Sequence, residues 1–475
     1  MSVTATELWR MSGLELAEAI RSRQASTQEV VLAHLRRIGE VNASINAVVM
    51  VLGEQALAAA RVADRAVARG EDLGPLHGVP FTVKANIDVV GTPTTCGLKA
   101  LANAYPRLDA PHVERLRAAG AIPIGRTNLA NFGIRWHTDS ELWGATVNPW
   151  DRSRTPGASS GGDAAALATG MTPLGVGGDV LGSLRWPAQC CGVTALKPTL
   201  GRIPRATTIE PMDMPIGSQL MMVDGPMARR VGDLRVALQV MAGPTWRDPW
   251  SMPAPLRGAE PPKPVRVALV VDPAGQGAAG QVQEGVRKAA SALEDAGYVV
   301  DELEPPSIEV AAKAALDMIV ADTRATWGLM PFSMPADTTR FISSLLEVAG
   351  DPDPLCLMTR AWLLRAWAEF QEEHPLIVAP IYTRIPFEVG KDLSVAEVAE
   401  TVRGMRMAIA VNALGLPAVA VPVGTGDGLP QVVQVIGGRY REDLCLDAAA
   451  ALEERLGIIT PIDPVAAITN IVVEA

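Results

Sequence analysis

Histidine is scarce in this chain, with 5 among 475 residues, and cysteine is equally rare. A hydrolase built on a histidine base needs one downstream of its serine, and past residue 137 only His374 is available. The cysteines suit neither a metal cluster nor a disulfide frame. Cys96, Cys356 and Cys445 are far apart, and the adjacent Cys190 and Cys191 cannot bridge each other without strain. Free thiols in a reducing compartment are expected, with no metal. Positive charge is in deficit, 42 Lys and Arg against 52 Asp and Glu, which argues against a nucleic-acid partner. No apolar run approaches the roughly 20 residues of a membrane span. The opening MSVTATELWR has neither the charged region nor the apolar stretch of a signal peptide. A cytoplasmic protein with no membrane partner is expected. Hydrophobic residues make up 48%, ample for a large buried core at this length.

Residues 1 to 70 read as helices. Ser12-Gly-Leu-Glu15 and Ser26-Thr-Gln-Glu29 are capping boxes, and Val30, Val31, Leu35 and Ile38 follow at helical spacing. Pro80–Lys84 is short and β-prone, so Lys84 ends a strand. Residues 113–119 read as a helix, 121–125 as a buried strand and 135–162 as a long irregular segment. An alanine-rich helix starts near Asp163. The Pro-rich stretch 243–264 has the composition of a linker. Beyond it come a strand (265–271), a helix (282–296) and a strand (299–303), either a separate domain or more of the same sheet. Helices dominate 308–373, with strands at 376–380 and 418–422 and a helix at 443–455. The alternation predicts an α/β layered sheet.

Three short segments carry candidate chemistry: His77-Gly-Val-Pro-Phe-Thr-Val-Lys84, Gly157-Ala-Ser159-Ser-Gly-Gly162 and Gly178-Asp-Val-Leu-Gly-Ser183-Leu-Arg185. Cleaving an amide takes a nucleophile, a group that accepts and then returns a proton, and donors for the developing oxyanion. Consecutive N–H groups of Val180, Leu181, Gly182 and Ser183 can form an anion-binding nest. Ser159 sits in a glycine loop at a helix start, where N–H groups are again free. A lysine serves as a base only when neutral, and burial moves its pKa from about 10.4 toward the useful 7–8. Phe81 and Val83 favour burial of Lys84. Taken singly these signals are weak, because strand-end lysines are usually solvated and Gly/Ser runs are usually loops. The Gly157-Ala-Ser-Ser-Gly161 match to a nucleophile elbow fails, since residues 148–156 make a poor strand. A phosphate-binding loop fails too, because no Gly-Lys-Ser/Thr follows the glycines.

Pro156-Gly-Ala-Ser-Ser-Gly-Gly-Asp-Ala-Ala-Ala166 through Gly182-Ser-Leu-Arg-Trp-Pro-Ala-Gln-Cys-Cys-Gly-Val-Thr-Ala-Leu-Lys-Pro-Thr199 closely resembles the signature of the amidase signature family. His77–Lys84, Thr127-Asn-Leu129, Asn148–Asp151, Gly225–Arg229 and Gly415–Ala418 also look like landmarks of that family, over nearly the whole chain. The resemblance implies a Ser–Ser–Lys triad. Ser183 is then the nucleophile, Ser159 the bridging serine held after a cis peptide bond, Lys84 the neutral base, and Ser160 a support for Lys84. It implies hydrolysis of a C–N bond through a serine acyl-enzyme, an alkaline optimum and no cofactor. The fold implied is a single large domain, residues 1–475, with a mixed twisted sheet covered by helices on both faces. The signature core spans 77–203, and 243–264 becomes a connection rather than a domain break.

Departures from the family pattern bear on the substrate. Leu181 replaces a usual glycine of the oxyanion turn, Ala158 replaces the glycine before the bridging serine, and Ala85 replaces a usual acid after the lysine. Residues 129–137 also diverge, and 205–224 is a long loop holding Met212, Met214, Met221 and Met222. Methionines adapt to irregular apolar ligands. A flexible apolar lid beside Trp136 is expected, with Ala158, Met212 and Met214 at the substrate. The expected substrate is a small amide, anilide or carbamate with a bulky or aromatic group, as for the aryl acylamidases and urethanases of this family. The alternative is the glutaminase (A) subunit of a tRNA-dependent amidotransferase, which needs partner subunits and a polar pocket. A homodimer is left open.

Overall fold

The structure is a computed structural model that describes residues 8–210, 212–330 and 332–465. Residues 1–7, within the stretch read as free of a signal peptide, and Pro211 of the 205–224 segment lie outside the described residues. Helices α1 (Gly13–Arg21) and α2 (Thr27–Ile45) begin where their caps predict. Ser12 and Ser26 each accept a bond from the backbone three residues on, and Glu15 and Glu29 reach back to the cap N–H groups. The alanine-rich α3 (Gly53–Arg69) stops at left-handed Gly70. Between α2 and α3 lies strand β1 (Val48–Val51), which the helical reading of residues 1–70 missed. Four residues are too few to show a period.

Strands β2 (Pro80–Lys84) and β3 (Ile122–Thr127) follow, separated by α4 (Pro111–Ala118). The irregular 135–162 segment contains only a small hairpin, β4 (Asp139–Ser140) with β5 (Gly144–Ala145). Then come α5 (Gly161–Ala168), β6 (Leu174–Asp179), α6 (Arg185–Cys191), β7 (Thr194–Lys197) and β8 (Val223–Ala228). The remaining strands are β9 (Arg266–Leu269), β10 (Val299–Glu302), β11 (Leu376–Pro380), β12 (Ala418–Gly426) and β13 (Leu429–Gly437). All except β4 and β5 join one 11-stranded sheet in the order β1-β3-β2-β6-β8-β7-β12-β13-β11-β9-β10. Strands β9 and β10, which follow the Pro-rich connection, pair in parallel and join the sheet through β11. The 243–264 stretch therefore runs along one α/β domain. Pairing is mixed: β2 runs parallel to β3 and β6, whereas β8 is antiparallel to β6 and β7.

Strand alternation assigns the two faces. Phe81 and Val83 of β2, with Leu174 and Val176 of β6, enter one core beside α4 and the helices Val231–Met241, Gly280–Asp295 and Glu442–Leu456. Thr82 and Lys84 therefore point to the opposite face, under α5. Alanines 164–166 and 168 of α5 are all fully buried, which lets this helix lie close to the sheet. No helix among the described residues is long and apolar enough to cross a membrane.

Candidate active site

Lys84 is the last residue of β2, Ser159 and Ser160 lead into α5, and Ser183 leads into α6. The sheet brings these three segments to one place because β2 pairs directly with β6, the strand before the Ser183 turn. Lys84 Nζ lies 2.6 Å from Ser159 Oγ and 3.0 Å from Ser160 Oγ. The Ala158–Ser159 peptide is cis. All four side chains are at least nine-tenths buried. A side chain at Gly177 would have its Cβ 2.6 Å from Ser160 Oγ, so β6 is bare where Ser160 must sit. Ser183 faces the same cavity as Lys84 and Ser159, and its hydroxyl bonds no other group among the described residues. Burial lowers the Lys84 pKa from its ordinary 10.5 to about 8, against the opposing pull of Asp163, Asp224 and Asp179.

The Ser183 turn is held by Asp179. Its Oδ1 accepts from the Gly182 N–H at 2.7 Å, and its Oδ2 from the Leu184 N–H at 3.2 Å. Arg185 donates to the same carboxylate at 3.1 Å, and Asn412 at 2.9 Å. Burial pushes the Asp179 pKa up, but Arg185, Lys197 and Asn412 outweigh it and hold the group well below the usual carboxylate range. Gly182 has φ +101°, which a side chain adopts only with strain, and an added Cβ would sit 2.6 Å from the Met405 methyl. This geometry corrects one expectation. The Gly182 N–H is already committed to Asp179, so the turn has the N–H groups of Val180, Leu181 and Ser183 left for an oxyanion.

Above the serines opens a cavity of about 680 Å³. Its wall is largely apolar: Phe132, Trp136, Ile319, Trp327, Phe341 and Leu345. Trp136 meets Phe341 edge to face, with ring centroids 5.2 Å apart. Met214 lines this cavity with Trp136, Val180 and Leu181. Two expected contacts are not there. Ala158 is fully buried behind the site, and Met212 is 43% exposed and lines a separate cavity of about 370 Å³ across the 205–224 segment. Met221 packs in the core, and Met214 and Met222 border both cavities. Arg135 also reaches the main cavity, but its guanidinium is tied to Asp392 at 2.9 Å.

Sequence reasoning missed two groups here. Asp179 and Arg185 stood inside the quoted Ser183 motif, and a charged pair within a run of small residues was the available signal. Phe341, Ile319 and Trp327 come from helices Ile308–Thr326 and Ala336–Ala349 and the turn Trp327–Leu329. Nothing local ties them to a serine about 150 residues upstream.

Two serines, a buried lysine of lowered pKa and an apolar acyl-sized cavity are the equipment of an amide C–N hydrolase. Residues 29–446 match the family described as Amidase, and the chain belongs to it. The chain is 41% identical over 466 residues to an indoleacetamide hydrolase of Bradyrhizobium diazoefficiens, covering 95% of this chain and 88% of that protein. It is 31% identical over 480 residues to the glutamyl-tRNA(Gln) amidotransferase (A) subunit of Moorella thermoacetica, covering 94% and 97%. Its fold matches the structure of a 6-aminohexanoate cyclic dimer hydrolase complexed with substrate, with TM-score 0.81, 28% identity and coverage of 95% and 98%.

Proposed function

We propose that the protein hydrolyses amides whose acyl group is bulky and aromatic, of the indoleacetamide class, with Ser183 as nucleophile, Ser159 as proton bridge and Lys84 as base. The observation that carries this reading is the 2.6 Å approach of Lys84 Nζ to Ser159 Oγ on the floor of the apolar cavity. Neutral Lys84 accepts the Ser159 proton as Ser159 accepts that of Ser183. The Ser183 oxygen attacks the carbonyl, and the N–H groups of Val180, Leu181 and Ser183 receive the developing charge. Lys84 returns its proton through Ser159 to the departing amine, and water releases the acid by the same relay. Ser160 holds Lys84 in place from its other side.

An indole-sized acyl group suits the ring wall of Trp136, Phe341 and Trp327. The indoleacetamide hydrolase relative, at 41% identity against 31% for the amidotransferase component, favours the same class. The glutaminase reading is weaker on physical grounds. Glutamine brings a carboxylate, and besides Lys84 the one cation on the cavity wall among the described residues is Arg135, already paired with Asp392. Glu210, Asp213 and Asp322 at the same cavity would repel that carboxylate. A panel tests the reading: kcat/KM for indoleacetamide, acetanilide, a nitrophenyl carbamate, acetamide and glutamine. Indoleacetamide ahead of acetamide and glutamine is the expected order. Glutamine first would replace this reading with the glutaminase one, and the carbamate first would replace it with a urethanase.

A further inference from the structure

We propose that Asp163 is a positioning residue that sets the charge state of Lys84, a buried carboxylate with no ion pair of its own among the described residues. The inference rests on the reading of Lys84 as the base. Asp163 is the third residue of α5 and is fully buried. Beneath it the sheet forms a four-residue platform. Lys84 and Thr127 are register partners on β2 and β3, and Thr82 and Gly175 are partners on β2 and β6. Asp163 Oδ1 accepts from Thr127 Oγ1 at 2.8 Å. A Cβ placed on Gly175 would lie 3.3 Å from Asp163 Oδ1 and 3.5 Å from Thr82 Oγ1, so the carboxyl rests directly on this bare strand beside Thr82. Asp163 Oδ2 and Thr82 Oγ1 are both buried without a hydrogen-bond partner among the described residues.

A buried carboxylate with one oxygen unmatched is costly unless a nearby positive charge answers it or it keeps its proton. The other charged groups on elements packed against α5 are already engaged. Asp179 of β6 is paired with Arg185 of α6, and Asp224 of β8 faces His112 and Arg205. Arg126 of β3 donates to the carbonyls of Val83, Lys84 and Ile87 and to Thr92. The nearby thiols of Cys96, Cys190 and Cys191 are pushed up by burial and stay neutral. Strand β1 brings no titratable side chain. Among the described residues neither Lys84 nor Asp163 has a direct ion pair, and both adjoin Thr127, the register partner of the lysine and the donor to the carboxylate. Burial moves the two pKa values toward each other, the lysine down and the carboxyl up, so the pair titrates as a unit. Of the charges acting on Lys84, that of Asp163 is the strongest pull toward the ammonium form.

The test compares pH profiles of kcat/KM for one amide. Asp163→Asn keeps the shape and removes the charge, so Lys84 becomes neutral more readily and the acid limb moves to lower pH by about 1 unit. A purely structural role predicts loss at every pH with the inflection unmoved, and that result overturns the inference. Should this variant not fold, Thr127→Val gives the second readout. It removes the one donor to the carboxylate, Asp163 keeps its proton to higher pH, and the limb again moves acidward by less. An unmoved limb in folded Thr127→Val overturns the inference equally. A wild-type profile with no acid limb sinks the base assignment and this inference with it. An acid limb that Asp163→Asn leaves in place sinks the inference alone.

Discussion

Changing the pH tests the catalytic reading most directly. Lys84 has an ordinary pKa of 10.5 and is lowered to about 8 by burial. At pH 7 an ordinary lysine is neutral in about 0.03% of molecules, and one at about 8 in about 9%. Burial thus raises the supply of base about 300-fold, worth roughly 3 kcal/mol. The sign follows from the neutral form being the active one: activity grows as pH rises through the lowered value. Between pH 6 and 7 kcat/KM should climb about ninefold, and between pH 6 and 9 about 90-fold, before levelling. Because the amine is buried, the inflection should barely move with ionic strength. The assay is chromatographic detection of the carboxylate product in constant-ionic-strength buffers. Lys84→Ala should lose about 10³-fold or more and show no limb. A flat profile, or an inflection left near the ordinary lysine value, would refute a buried neutral base.

Other outcomes follow from the same geometry. Trp136→Ala removes the ring that packs on Phe341, so kcat/KM for indoleacetamide should fall about 10–100-fold while acetamide changes little. Equal losses on both substrates would remove Trp136 from the acyl pocket. Ser183→Ala should abolish labelling by a fluorophosphonate probe, and persistent labelling would assign the nucleophile elsewhere. Asp179→Asn leaves Arg185 buried without its partner, which should cost about 3–5 kcal/mol in denaturant unfolding and slacken the Ser183 turn. An unchanged unfolding midpoint would mean that the turn is held by something else.

Much of the site was legible because it lies in short contiguous stretches. Lys84, Ser159, Ser160 and Ser183 each sit in a segment whose glycines, β-prone run or helix start can be read locally, and the capping boxes of α1 and α2 mark their own ends. The N-terminal reading lost β1 because four residues show too little pattern, and the later readings lost β6, β7, β8 and β13 because a strand of 4 to 9 residues buried on both faces shows little period. Part of the 205–224 segment lines the cavity above the serines, but which of its methionines do so was not legible in the sequence. Met214 faces the main cavity and Met212 does not.

Alternating strand and helix patterns pointed to a layered α/β protein, and the resemblance of its short motifs to the amidase signature singled out Lys84, Ser159 and Ser183 as candidate groups. Tertiary structure alone decided what surrounds those groups. Pairing of β2 with β3 and β6 put Thr127, Thr82 and a bare Gly175 around a lysine, and α5 laid a carboxylate upon them. It also committed the Gly182 N–H to Asp179 and built much of the cavity wall from helices more than 100 residues downstream. The physical reason is range. A strand's period or a helix's cap acts over a few residues, whereas a pKa and a pocket sum contributions from every chain segment that burial brings within a few ångströms.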